Sequence, residues 1–82
     1  MNTDEIKSLI QNGLVTSFVN VVGDGTHFEA IIVSDEFKDK ILIDRHKLVY
    51  SALGDAMKEA IHALSMKTYT PDQWENIQQN GA

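Results

Sequence analysis

The sequence predicts an α+β fold of order α-β-β-α-β-α, with a three-stranded mixed sheet and helices on one face. Three observations predict it. Apolar residues recur at helical spacing near the N-terminus and again from Leu42. Two runs rich in β-branched and aromatic residues, "SFVNVV" and "THFEAIIV", are joined by "GDG". A third such run, "IHALSMKTYT", leads directly into a helix start.

Asn2 or Thr3 caps the first predicted helix, and Asp4 and Glu5 suit its positive end. Ile6, Leu9, Ile10 and Leu14 lie at the spacing of one apolar stripe, and Gly13 fits a C-terminal stop. In the second strand Phe28, Ala30 and Ile32 share one face. His27 shares the other with Glu29, which marks that side as the more solvated. The polar "SDEFKDK" reads as a turn or a single helical turn.

A second helix is expected from Leu42 to about Ala60. Leu42, His46, Val49, Leu53 and Ala56 form its stripe. Gly54 weakens that helix by about 1 kcal/mol relative to Ala, or allows close packing on a neighbour. The third strand puts His62, Leu64, Met66 and Thr68 on one face. Thr70, Pro71 and Gln73 then make a capping box with proline at the first helical position. Trp74 should pack on the sheet edge, and the polar "NIQQNGA" should fray. The helix between the second and third strands is long enough for a parallel crossover.

Eighty-two residues make one domain, 1–82, with a small core. There is no cysteine, which removes disulfides, thiolate metal sites and a thiol nucleophile. The N-terminal stretch lacks a basic region followed by an apolar run, and no run approaches the ~20 apolar residues of a membrane span. A cytoplasmic protein with no membrane partner is expected. The net charge of −5 argues against nucleic acid. The charge is uneven: residues 37–58 hold five bases against three acids, which leaves room for a basic partner surface.

No phosphate loop, G-x-S-x-G or H-E-x-x-H is present, so no enzyme is expected. The three histidines are the only imidazole metal donors. His46 reads as a half-buried histidine satisfied by one hydrogen bond. His27 reads as a solvated loop histidine, and His62 as a core-edge residue or a ligand. None of these histidines has the i, i+4 spacing of a helical metal site.

Three segments in order, "VSDEF", "RHKLVY" and "IHALSMKTYTPDQW", resemble the BolA family over nearly the whole chain. "GDGTHFEAIIV" is most similar to its short YrbA/IbaG branch. One residue departs from the family pattern: Asp39 stands where relatives carry glycine, a position suited to a positive-φ turn that Asp tolerates. The resemblance implies a type II KH-like fold. It implies a non-enzymatic partner of monothiol glutaredoxins, forming a heterodimer with the partner and a monomer alone. The pair shares a [2Fe-2S] cluster, with a cysteine and a glutathione thiolate on the glutaredoxin side. The isolated chain is expected to hold no cluster stably. Carried over, the ligands on this side are His62 and a group in the first hairpin loop. That group is His27, with Asp24 as the alternative. Arg45, His46 and Lys47 become candidates for the partner surface. Transcriptional or stress regulation through nucleic acid is the other reading. The chain lacks the GxxG loop with which KH domains clamp a nucleic-acid backbone.

Overall fold

The computed structural model describes residues 2–58 and 63–80. The order is α1 (Thr3–Gly13), β1 (Phe18–Gly23), β2 (Phe28–Val33), α2 (Leu42–Leu53), β3 (Leu64–Tyr69) and α3 (Pro71–Asn80). Short 3-10 turns lie at Asp35–Phe37 and Gly54–Met57. The sheet order is β1-β2-β3, with β1 antiparallel and β3 parallel to β2.

The register places Val19, Ile32 and Thr68 in one row across the sheet, and Val21, Ala30 and Met66 in the next. These rows, with Phe28 and Leu64, form the inner face. Ile6 and Ile10 of α1 and Val49 and Leu53 of α2 complete the core with Leu14 and Phe37. Each such aliphatic or aromatic side chain contributes about 1.5–3 kcal/mol on burial, so this face holds most of the apolar gain.

The opposite face is covered at one end only. Phe18, Val33 and Tyr69 share a row there, and Trp74 of α3 reaches both outer members. Its ring stacks on Phe18 at 5.2 Å and meets Tyr69 at 5.6 Å. Trp74 therefore packs across the outer face at its end, while α1 and α2 take the inner face as the pattern predicts. The rest of the outer face is an open groove of about 150 Å³ lined by Asn20, Val22, Glu29, Ile31, Ser65 and Lys67.

Two glycines exchange their expected roles. α2 stops at Leu53 rather than Ala60, because Gly54 takes φ +58° as its C-cap. Among the described residues nothing lies within 4 Å of where a Gly54 side chain would stand, so its role there is to end the helix. Gly13 lacks a positive φ; a Cβ there would lie 2.5 Å from that of Ala52, so its role is the close approach of α1 to α2. Leu42, expected on the buried stripe, is 61% exposed, since the first turn of α2 overhangs the core. Ala56 is exposed for the related reason that α2 has ended before it. β3 begins at Leu64, and α3 continues through Asn80 rather than fraying from Asn76.

The remaining caps follow the sequence. Asn2 Oδ1 accepts from the Glu5 amide. Thr70 and Gln73 exchange backbone and side-chain bonds at 2.9 and 3.2 Å, forming the capping box. Asp39 adopts φ +62°, so the turn survives without glycine.

Candidate functional site

The hairpin between β1 and β2 is built around one carboxylate. Asp24 Oδ1 accepts the amides of Thr26 and His27, each at 2.9 Å. The Asp24 amide donates in turn to the His27 carbonyl at 3.2 Å. Gly25 supplies φ +93°, which an L side chain rarely adopts. Gly23 leaves room for the closure: a Cβ there would lie 2.5 Å from the His27 carbonyl oxygen. The bond from the His27 amide, then that from Thr26, holds the Asp24 carboxyl below its ordinary pKa; the His27 charge adds less. The result is a closed four-residue loop with His27 exposed at its end.

His27 immediately precedes Phe28, and Phe28 pairs with Leu64 in parallel register. The loop therefore stands beside the first residue of β3, Leu64. His62, the first ligand that the sequence proposes, lies outside the described residues, as does Ile61. Among the described residues, no three His, Cys, Asp or Glu side chains gather as a metal cage.

The three α2 residues stand elsewhere. Arg45 Nε donates to the Lys40 carbonyl at 3.0 Å, and its Nη1 donates to the Thr68 carbonyl and Gln73 Oε1 at 3.1 and 2.9 Å. Its guanidinium also lies 5.9 Å from the Phe37 ring centroid. Arg45 thus ties α2 to β3 and α3. Thr68 is four residues along β3 from Leu64, about 13 Å at strand rise. His46 is half-buried and edge-on to Tyr50 at 6.4 Å. The hydrogen bond expected of it is missing: its buried Nε2 has no partner among the described residues. Lys47 is exposed. The structure thus brings Asp24 and His27 together and leaves Arg45 at the far end of β3.

The "VSDEF" segment is at that far end too. Ser34 is fully buried; its Oγ donates to the Val15 carbonyl at 2.6 Å and accepts the Glu36 amide at 3.0 Å. Glu36 Oε2 accepts the Val15 amide at 2.8 Å. Sequence reasoning did not find this clamp: a serine at a turn start signals its local bond to the Glu36 amide, but the bonds to Val15 span 19 and 21 residues.

Fold and site together define a small α+β module that presents one imidazole on a preformed hairpin loop. The chain belongs to the BolA-like family: residues 11–73 match it as BolA-like protein. The acid stress protein IbaG of Escherichia coli strain K12 is 37% identical over 75 residues, 90% of this chain and 89% of that one. The chain spans about half, 53%, of the E. coli DNA-binding transcriptional regulator BolA, which it matches at 38% identity. Among solved structures, a BolA homologue from Coxiella burnetii superposes with a TM-score of 0.81. It is 49% identical, covering 92% of this chain and 97% of that one. The BolA domain of SufE1 from Arabidopsis thaliana gives a TM-score of 0.73 at 33% identity, covering 85% of this chain and 92% of that one. These likenesses agree with the IbaG branch. No helix among the described residues is long and apolar enough to cross a membrane.

Proposed function

We propose that this protein is a non-enzymatic cytoplasmic partner of a monothiol glutaredoxin and shares a [2Fe-2S] cluster with it as cargo. The observation that supports the reading is the register: Phe28 beside Leu64 sets the exposed His27 loop against the start of β3, two residues after His62 in the chain. His27 and His62 are the proposed ligands on this side. The chain has no cysteine, so the thiolates come from the glutaredoxin and its glutathione. Two imidazoles on one iron have precedent in Rieske centres, where they raise the reduction potential. With so few donors the cluster belongs to the pair, and the chain alone retains none.

Lys47 is the exposed base of the three α2 candidates and would steer an acidic partner surface. Nucleic acid comes second as a ligand, because Arg45 is engaged by acceptors of its own chain and the net charge is −5.

The test is titration of the purified chain into a cluster-loaded monothiol glutaredoxin, followed by visible circular dichroism. A new cluster spectrum at one-to-one stoichiometry, lost in His62→Ala and His27→Ala, is the expected result. A spectrum unchanged at every ratio would remove the cluster role and return both histidines to the fold.

A further inference from the structure

The carboxylate of Asp24 has two possible uses: it ligates metal, or it fixes the loop that carries the imidazole. The geometry points to the second, and we infer that Asp24 is the positioning residue of His27. This rests on the cluster-sharing reading above and names what controls the ligand's presentation.

Three observations carry it. A single oxygen, Oδ1, holds both loop amides at 2.9 Å, one of them the amide of His27 itself. The Asp24 amide closes the ring by donating to the His27 carbonyl, so residues 24 and 27 are bonded in both directions. Gly23 and Gly25 supply the space and the positive φ that this closure needs. A free hairpin loop of four residues samples many conformations, and ordering it has an entropic cost. Here that ordering is complete before any partner arrives, so an imidazole on this loop binds without it. A metal at Asp24 would draw charge from the carboxylate that both amides use. Carboxylate oxygen is also a hard donor, poorly matched to iron in a sulfide cluster. Outer groups that orient a ligating histidine act in this indirect way.

The two uses separate in Asp24→Asn and Asp24→Ala. Asparagine keeps a side-chain oxygen at the Oδ1 position and loses the charge; alanine loses both. Two readouts serve. The first is the solvent-exchange rate of the Thr26 and His27 amide protons by NMR on the chain alone. A positioning role predicts exchange faster by about tenfold in Asp24→Ala and near wild type in Asp24→Asn. The second is the visible circular dichroism of the glutaredoxin complex. Band positions should be unchanged in both variants. The concentration of chain needed for half-formation should rise about tenfold in alanine and stay near wild type in asparagine. Equal exchange rates in all three proteins would overturn the inference. So would shifted bands in both variants, since these mark a changed ligand set. If wild type forms no cluster spectrum while the amide rates split as predicted, the cluster reading fails and the loop-fixing role of Asp24 stands.

Discussion

The two ends of the sheet are built differently. At the end where β2 and β3 finish, three side chains tie separate parts of the chain together. Ser34 and Glu36 hold Val15, and Arg45 holds Lys40, Thr68 and Gln73. Trp74 spans Phe18 and Tyr69 over the buried Val33. At the end where β2 and β3 begin, the bonds of the hairpin loop span no more than three residues, and His27 is exposed. Long-range bonds fix a fold. Short-range bonds fix the shape of one loop and leave its side chain free. Motif residues at the first end are therefore architectural, and those at the second are available for chemistry.

Substitutions should divide along the same line. Phe37→Ala, at a fully buried ring, should lower unfolding free energy by about 3–5 kcal/mol in urea. A loss below about 1 kcal/mol would show that the first end is not the architectural one. Gly23→Ala is the exception that sharpens the contrast. Its Cβ meets backbone at 2.5 Å, and displacing the loop should cost about 1–3 kcal/mol. Fluorescence-monitored unfolding of this variant should show that cost, and its cluster transfer should fail with it. Ser34→Ala removes two hydrogen bonds from a buried site and should cost about 1–2 kcal/mol, measured as a lowered urea midpoint at constant slope. His27→Ala should change stability by less than about 0.5 kcal/mol yet abolish the shared-cluster spectrum. A large stability loss there would make His27 a structural residue.

The fold was legible because its signals are local: the hairpin alternation, the capping box at Thr70 and the crossover length all survive in the structure. The glycines were harder to read. A glycine late in a helix fits either a positive-φ stop or a close contact, and only tertiary packing assigns Gly54 to the first and Gly13 to the second. The exposure of Leu42 has the same origin, since periodicity gives a face but not where the core ends beneath it. For the site, residue type and resemblance singled out His27 and Asp24. Their division of labour depends on which carboxylate oxygen meets which amide, and no spacing rule carries that. Arg45 in "RHKLVY" reads as a partner contact because it is basic and on a helix. Its acceptors are carbonyls 5 and 23 residues away and the Gln73 side chain, too far apart in sequence for any motif to show.

The most direct test of the division between the two ends is amide mapping. The isotopically labelled chain would be titrated with cluster-loaded monothiol glutaredoxin, and NMR would record which backbone signals shift or broaden. Signals of residues 24–28 and 63–65 should change first and most, while those of residues 34–37 and 69–74 hold their positions. Changes centred on Ser34, Arg45 and Trp74, with the His27 loop untouched, would contradict that division.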